Sequence, residues 1–494
     1  MIFNIPIRTS YFLVLITLLF ACSSNRSTER ASDQPNIVLI VADDLGWADL
    51  GFTGSDLFET PNLDQFAREG VYFSNFYSAS PVCSPTRASI LTGKYPARLK
   101  MTTHYENSGD YWRNADRDMT VYNNPLVQPN TVGNLPQSEI TLAEYLRDLG
   151  YFTAHIGKWH LGNFEHYPEN QGFDVNVGGT SWGAPDTYWY PWTGNNFQKQ
   201  LRYIPGLVFK AGESTFLPDR LTDKAIEIIQ EKRNDPFFLH LNFHIPHTPM
   251  EGKKELVEYF KSKVKPGMKD TNPVYAAMIK SLDENFGRVL KALKSAGISD
   301  HTIVIFLSDN GGRIGEFQEW ETVANNAPLR SGKGSVYEGG IRVPLIVKWP
   351  GVTKPGAVSD EPTITNDLYP TIAEMLGGKE VPSNALDGIS LVPQLINAET
   401  TSEREYLYWH YPHYYSTTTP VTAVRKGKWK LIHYYEDDQL ELYNLEEDLG
   451  EEKNLVDEHP GLTKELFENL KAWRRDMDAQ SPEKNPSNDP TSDK

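Results

Sequence analysis

The sequence has few cysteines, fewer basic than acidic residues, and no long apolar segment. Only Cys22 and Cys83 occur among its 494 residues, so a framework of several disulfides is excluded. Lys and Arg number 48 against 65 Asp and Glu, for a net charge of −17, which argues against a general nucleic-acid-binding protein. The apolar stretch at residues 11–20 is too short for a membrane-spanning helix, which needs about twenty residues.

The composition is that of a folded protein, with 39% apolar, 12% aromatic and 23% charged residues. At roughly 150 residues per domain, the length allows two or three domains, or one large domain with an appendage. We therefore expect a large hydrophobic core rather than a disordered or fibrous chain.

The N-terminus has the pattern of a secretory signal, with Arg8 before the short apolar stretch. Residues 19–22, Leu-Phe-Ala-Cys, resemble a bacterial lipoprotein box, which predicts a signal peptide at 1–21 and a lipid anchor on Cys22. Residues 22–35 are polar and aperiodic and are interpreted as a tether. The prediction is an exported lipoprotein in the periplasm or at the cell surface, attached to a membrane; a plain secretory signal with a neighbouring cysteine is the alternative.

Apolar runs that end at polar residues predict strands buried on both faces. Residues 37–41 and 302–307 are such runs, and 237–243 and 343–347 are further candidates. Helical stretches, such as 142–149 and 275–293, lie between them. Strands that alternate with helices indicate an α/β fold with a mainly parallel sheet flanked by helices, and we assign this catalytic domain to residues 36–396.

The chain changes character beyond about residue 405, where Tyr and Trp become frequent. Short strands at 422–425 and 429–433 and an amphipathic helix at 462–477 predict a smaller C-terminal α+β subdomain, spanning 397–480. Residues 481–494 contain no large apolar side chain and are predicted to be disordered. Residues 104–137 form a long aperiodic loop, a length that is usually functional or disordered.

Acidic pairs follow two of the predicted strands. Asp43 and Asp44 end the first, and Asp309 and Asn310 follow the second. Ligands of such sheets bind beyond the carboxyl ends of strands, where these side chains would repel one another unless a cation lay between them. All-oxygen ligation favours calcium or magnesium over zinc, and calcium tolerates irregular geometry better. The alternative is that these are ordinary loop residues.

The only other cysteine lies in a polar setting. Ser84 and Pro85 fit an N-cap and a first helical position, so Cys83 would immediately precede a helix whose free N–H groups favour an anion. Arg87 lies one turn inside that helix. A buried structural cysteine is the alternative, whereas a Cys-x5-Arg phosphatase is excluded because the spacing here is Cys-x3-Arg.

Several motifs together resemble the type I sulfatase family, which has an alkaline-phosphatase-like fold. Cys-x-Pro-x-Arg at 83–87 with Leu-Thr-Gly at 91–93 resembles its maturation signature, and residues 150–160 resemble a second signature. The opening segment from Asn36, Pro-His-Thr-Pro at 246–249, Ser-Asp-Asn-Gly-Gly at 308–312 and 329–334 occur in the family's order. Pieces at 428–431 and 441–445 resemble its C-terminal subdomain.

This resemblance implies that a separate maturation enzyme oxidises Cys83 to formylglycine, whose hydrated aldehyde has one hydroxyl to attack sulfur and a second to expel the sulfate. It also implies one calcium ion, which would act as Lewis acid and template. The implied calcium ligands are Asp43, Asp44, Asp309, Asn310 and the modified Cys83.

The resemblance assigns roles to five further residues. Arg87, Lys158 and Lys333 match cations that hold formylglycine and sulfate and stabilise charge in the transition state. His160 matches the residue that hydrogen-bonds formylglycine and assists its deprotonation. His247 matches the general acid for the departing alkoxide.

Other polar and aromatic residues near these motifs are ambiguous. His104 is a candidate for substrate contact, whereas His155 and His244 are interpreted as structural. Aromatic residues could stack on sugars or simply pack; they are Trp182, Tyr188, Trp189, Tyr190, Trp192, Tyr408, Trp409 and Tyr411.

The expectation is a sulfuric ester hydrolase that acts on a sulfated carbohydrate, either an extracellular polysaccharide or an oligosaccharide. Two alternatives remain: a phosphate or phosphonate ester hydrolase of the same superfamily, and an inactive glycan-binding lipoprotein.

Overall fold

The computed structural model describes residues 34–105, 124–195, 201–316, 322–378 and 386–488. The predicted signal peptide, Cys22, most of the predicted tether and residues 489–494 lie outside these ranges. Within them, no helix is both long enough and apolar enough to cross a bilayer.

The larger part of the chain is built on an eight-stranded sheet with the strand order β10-β2-β9-β8-β1-β7-β5-β6. These strands are β1 (Asn36–Asp43), β2 (Val71–Phe73), β5 (Phe152–Gly157), β6 (Val175–Val177), β7 (Phe237–Pro246), β8 (Thr302–Ser308), β9 (Leu345–Lys348) and β10 (Ala357–Ser359). Three short strands lie outside it: β3 (Phe76–Tyr77), β4 (Leu126–Val127) and β11 (Thr363–Ile364).

Most helices of this part lie between its strands in the sequence, and the last two follow β11. They are α1 (Pro61–Glu69), α2 (Cys83–Thr92), α3 (Pro96–Leu99), α4 (Leu142–Asp148), α5 (Leu217–Glu231), α6 (Lys254–Lys263), α7 (Pro273–Ser295), α8 (Glu338–Ile341), α9 (Leu368–Met375) and α10 (Val392–Ile396). Helix α4 begins with a capping box between Thr141 and Glu144.

The expected α/β, alkaline-phosphatase-like fold with a mainly parallel sheet is confirmed. β1 is fully buried, with Val38 and Ile40 in the apolar layer on one face and Ile37 and Leu39 in the layer on the other. Five of the seven strand pairs are parallel, and β9 pairs antiparallel with both of its neighbours. Helices therefore cover both faces of the sheet, as its continuous apolar strands require.

The C-terminal subdomain is an antiparallel sheet with one long helix. Its strands are β12 (Tyr406–Tyr411), β13 (Val421–Lys426), β14 (Trp429–Tyr434) and β15 (Leu440–Asn444), and its helix is α11 (Pro460–Asp476). A shared apolar cluster joins this sheet to the larger part, including Tyr77 and Ile341 on one side and Trp409 and Leu431 on the other.

The prediction of disorder for the tail is wrong for its described part, residues 481–488. β16 (Glu483–Lys484) pairs antiparallel with β4, and the backbone N–H of Asn485 donates to the carbonyl of Pro125 at 3.0 Å. Backbone hydrogen bonds hold this segment, and backbone bonding does not require apolar side chains.

Candidate active site

The carboxyl ends of four neighbouring strands meet at one edge of the sheet. Ala42 of β1 pairs with Ser308 of β8, Asp43 pairs with Pro246 of β7, and Gly157 of β5 pairs with Asn242 of β7. Predicted ligands and catalytic groups directly follow Ala42, Asp43, Ser308, Pro246 and Gly157: they are Asp43, Asp44, Asp309, His247 and Lys158. The strand register therefore brings both acidic pairs, Lys158 and His247 into one crevice, as the rule for parallel sheets predicts.

Cys83 is the first residue of α2 and is fully buried. Its Sγ lies 3.6 Å from Asp43 Oδ1 and 4.0 Å from Asp44 Oδ1. The expected N-cap at Ser84 is wrong, because the helix begins two residues earlier than expected, at Cys83, after the extended Val82. Pro85 fits the first turn because the N–H groups there have no partner within the helix.

Each carboxylate of the site pairs with one buried cation. Lys158 Nζ lies 2.8 Å from both oxygens of Asp43, and Lys333 Nζ lies 2.8 Å and 2.9 Å from the oxygens of Asp44. All four residues are at most 3% exposed. Buried ion pairs contribute little net stability, so a constellation of this kind points to function.

Arg87 forms the third pair. Its Nε donates to Asp309 Oδ2 at 2.8 Å, and its Nη1 donates to Asn242 Oδ1 at 2.9 Å and to the carbonyl of Lys158 at 3.1 Å. Arg87 therefore ties α2 to three strand ends. Asn242 is not among the residues predicted from the sequence, although a polar residue within the apolar β7 segment is a signal of a site residue.

Asp44 and Asn310 have the features of cation ligands. Asp44 adopts a left-handed backbone conformation (φ 63°), which is uncommon for a residue other than glycine. Asn310 Nδ2 donates to Asp44 Oδ1 at 2.7 Å, whereas Asn310 Oδ1 is buried and has no hydrogen-bond partner among the described residues. Potential ligand atoms of Asp43, Asp44, Cys83 and His247 all lie within 4.8 Å of one another. This oxygen-rich set fits a hard divalent cation.

Two histidines border the crevice. His247 Nε2 lies 3.6 Å from Asp44 Oδ2, and its Nδ1 donates to the carbonyl of Thr248 at 2.7 Å. His160 has a left-handed backbone (φ 62°), and its ring packs so closely on Gly183 that a Cβ there would lie 2.5 Å from a ring atom. A side chain at position 183 would therefore displace His160.

Burial and neighbouring charges together set the pKa values of the site residues. Burial raises the pKa of the Cys83 thiol to about 12, so the unmodified thiol is uncharged at neutral pH and a weak nucleophile. Burial would also raise the pKa of Asp44, but Lys333 and Lys158 outweigh it and the pKa is lowered. Burial lowers the pKa of His247 well below its usual range, and Lys333 and Lys158 add to the effect.

The structural interpretation of His155 agrees with its surroundings. It is buried on β5, where its Nδ1 lies 3.2 Å from Nδ1 of His240. His244 is also buried, on β7. His104 stacks on His160 with ring centroids 5.7 Å apart, and its contact with substrate stays a prediction.

The sugar-stacking interpretation is wrong for four of the aromatic residues, which are buried by packing. Trp409 Nε1 donates to the carbonyl of Ser78 at 2.8 Å, and the Tyr188 hydroxyl donates to the backbone carbonyl of His244 at 2.6 Å. The four residues are Tyr188, Trp192, Trp409 and Tyr411.

Comparison with known proteins agrees with the fold and the site. The sulfatase family model matches residues 35–378, and a second model, N-sulphoglucosamine sulphohydrolase, C-terminal, matches residues 332–476. A sulfatase of Formosa agariphila is 33% identical over 94% of this chain and 92% of its own length. Human N-acetylgalactosamine-6-sulfatase is 31% identical over 80% of this chain and 74% of its own length.

A solved structure also matches nearly the whole chain. The crystal structure of Ps i-CgsB in complex with k-i-k-neocarrahexaose is 31% identical, covers 93% of this chain and 96% of that chain, and has a TM-score of 0.73. Fold and site together define a sulfuric ester hydrolase. The chain belongs to the sulfatase family.

Proposed function

We propose that this enzyme hydrolyses sulfate esters of a carbohydrate, using formylglycine at position 83 and one calcium ion. The observation that carries the proposal is the enclosure of Cys83 by carboxylates and fixed cations beyond the strand ends. The names of its relatives support a carbohydrate substrate, since one is an N-acetylgalactosamine-6-sulfatase and another was solved with a neocarrahexaose.

The cations of the site suit a tetrahedral anion. Lys158 and Lys333 reach Asp43 and Asp44, the two carboxylates nearest Cys83, so a sulfate group beside residue 83 would contact both ammonium groups. Because protein contacts fix these charges beforehand, they stabilise negative charge in the transition state without reorganisation. Arg87 donates from Nε and Nη1 to protein oxygens and orients Asp309.

Oxidation of Cys83 would supply the nucleophile that the thiol does not provide. Formylglycine, when hydrated, offers one hydroxyl for attack on sulfur and a second for release of the sulfate. A maturation enzyme is the partner that this step requires. Intact-mass analysis of active enzyme should show residue 83 as an aldehyde, which has lost the sulfur and two hydrogen atoms of cysteine and gained one oxygen; an unmodified thiol in fully active protein would contradict the assignment.

Asp43, Asp44, Asp309 and Asn310 would hold the calcium ion, and the unpartnered Asn310 Oδ1 is the atom that fits it best. The ion would supply Lewis acidity toward an oxygen of the sulfate group. Addition of calcium to chelator-treated protein should raise the melting temperature, and Asn310→Ala should abolish that rise. An equal rise in the variant would argue against this ligand set.

His247 is the candidate proton donor for the leaving alkoxide, and His160 assists residue 83. The Nδ1 of His247 is held by the carbonyl of Thr248, which leaves Nε2 facing Asp44 and the crevice. Nε2 is therefore the atom that would pass a proton to the substrate; the lowered pKa leaves it unprotonated in the free site, and the negative charge of a sulfate ester beside it would favour its protonation.

A phosphate or phosphonate ester hydrolase and an inactive glycan-binding protein are the rivals. The presence of all the predicted catalytic groups in one crevice argues against an inactive protein. Comparison of kcat/KM on para-nitrophenyl sulfate and para-nitrophenyl phosphate separates the first rival, with Cys83→Ala as the blank. Preference for the phosphate would overturn the proposal, as would glycan binding without sulfate release by formylglycine-bearing protein.

We also propose that the enzyme is exported and anchored to a membrane through a lipid on Cys22. The lipoprotein-like sequence at 19–22 supports this location. Cell fractionation should find the protein with membranes and Cys22→Ser in the soluble fraction; an unchanged distribution would contradict the anchor.

A further inference from the structure

A turn of the C-terminal subdomain touches the catalytic crevice. It joins β12 to β13 and is closed by two backbone hydrogen bonds between Tyr415 and Thr418, at 3.0 Å and 3.2 Å. The Thr417 hydroxyl donates to the carbonyl of Lys333 at 2.7 Å. The turn therefore lies directly on the residue whose ammonium pairs with Asp44.

The ring of Tyr415 packs on the glycine that follows Lys333. A Cβ at Gly334 would lie 2.0 Å from Tyr415 Cδ1, and Gly334 has a left-handed backbone (φ 88°). The N–H of Gly334 donates to the carbonyl of Pro81 at 2.8 Å, two residues before Cys83. Only glycine leaves room for the tyrosine ring at this place.

Three rings form a row that borders the crevice. His104 lies between His160 and Tyr415, with ring centroids 5.7 Å and 6.0 Å away and interplanar angles of 26° and 34°. His160 belongs to the predicted catalytic set. The C-terminal subdomain thus supplies Tyr415 at one end of this row, and the predicted catalytic residue His160 lies at the other end.

The hydroxyl of Tyr415 differs from that of its neighbour. The Tyr414 hydroxyl donates to Glu436 Oε1 at 2.6 Å and accepts from the N–H of Leu126 at 3.2 Å. Among the described residues, the half-buried Tyr415 has no hydrogen-bond partner for its hydroxyl. A phenol can both donate and accept, so it suits a sugar hydroxyl.

We propose that the Tyr415 hydroxyl binds a hydroxyl of the sugar that carries the scissile sulfate, and so makes the C-terminal subdomain a determinant of substrate specificity. The inference rests on the proposed function and adds the group that distinguishes a sugar sulfate from a simple aryl sulfate. A site that hydrogen-bonds a substrate hydroxyl discriminates against substrates that lack it.

The test is a ratio of specificity constants. For Tyr415→Phe, kcat/KM is measured on para-nitrophenyl sulfate and on whichever of N-acetylgalactosamine 6-sulfate and a neocarrahexaose the wild-type enzyme hydrolyses faster. The variant keeps the ring on Gly334 and loses only the hydroxyl. The sugar-to-aryl ratio should fall about tenfold, the effect of one lost hydrogen bond. Tyr414→Phe is the matched control and should keep the wild-type ratio.

The outcomes separate this inference from the proposed function. The inference is overturned if the sugar-to-aryl ratio of Tyr415→Phe stays within about threefold of the wild-type ratio. A parallel fall of both activities leaves that ratio unchanged, and would show that the tyrosine only supports Lys333. Wild-type hydrolysis of the aryl sulfate but of neither sugar also overturns the inference, while leaving the sulfatase activity intact. Failure of the wild-type enzyme on every sulfate ester would instead overturn the proposed function.

Discussion

The charged side chains of the crevice are held in place by direct contact with side chains of opposite charge. Lys158 and Asp43 illustrate this, since both side chains have no solvent exposure and are 2.8 Å apart. Removal of one partner leaves the other buried without compensation, which is more costly than the pair's own contribution to stability. Substitution should therefore affect both folding and catalysis.

For Lys158→Met, we predict a loss of at least about a hundredfold in kcat/KM on sulfate esters, because the proposed mechanism uses this fixed cation to stabilise charge in the transition state. The unfolding free energy should fall by about 3–5 kcal/mol, since Asp43 loses its partner. Activity assays and urea unfolding measure the two effects. Lys348→Met is the control, because Lys348 pairs with Glu69 at a position that is 36% exposed. Equal losses in both variants would contradict the prediction.

The sequence predicted which residues meet but not how each is held. The acidic pairs could be placed because strand ends of a parallel sheet share one edge, and the family resemblance added Cys83 and the cations. Sequence reasoning missed Asn242, because its role depends on the side-chain direction of Arg87 across two elements. The predicted N-cap at Ser84 lies two residues after the observed one, Val82, whose extended backbone sets the start of the helix.

At the level of elements, the docking of the C-terminal sheet depends on a buried ionic cluster. Lys430 of β14 lies 2.9 Å from Glu338 Oε1 and 2.8 Å from Glu451 Oε1, and all three residues are fully buried. Glu338 begins α8, five residues after Lys333. The cluster thus fixes the start of this helix against the second sheet.

For Lys430→Met, we predict a loss of about 3–5 kcal/mol in the free energy of unfolding, because two buried carboxylates lose their shared cation. Urea unfolding measures it. Lys428→Met, two residues away on the neighbouring turn, removes an exposed contact to Glu446 at 3.8 Å and a contact with the Trp429 ring at 5.7 Å, and should cost less than about 1 kcal/mol. Similar losses in the two variants would show that the buried cluster has no special role.

Strand and helix positions followed from the apolar pattern, but strand direction did not. The predicted strand at 343–347 exists as β9, Leu345–Lys348, yet it is antiparallel to β2 and β8. A strand buried on both faces has the same continuous apolar pattern in either direction. The ordered strand β16 could not be predicted either, because its backbone pairing with β4 does not depend on the composition of its side chains.

Over the whole molecule, stability depends on histidines that are buried without charge. Burial lowers the pKa of His413 to about 3, and its ring lies 2.8 Å from Thr102 Oγ1 in the larger part of the chain. The unfolded chain binds a proton at this histidine near pH 6.5, whereas the folded protein does so only at much lower pH. Its contribution to stability is therefore present above pH 6.5 and is lost as the pH falls toward 3.

For His413→Gln, which cannot titrate, we predict that the stability advantage of the wild type shrinks as the pH falls from about 7.5 to 5. The slope below pH 6.5 should be ~1.4 kcal/mol per pH unit. Urea unfolding at several pH values gives the difference directly, and the exposed His459→Gln is the control. A constant difference between wild type and His413→Gln across this range would contradict the assignment.

The complete enclosure of Cys83 also has a consequence for the proposed maturation step. A second protein cannot reach an atom that no solvent reaches, so oxidation by a separate enzyme, as proposed, would have to precede the completion of folding. A cell in which folding is completed first would accumulate natively folded protein with an unmodified Cys83, which could no longer be activated.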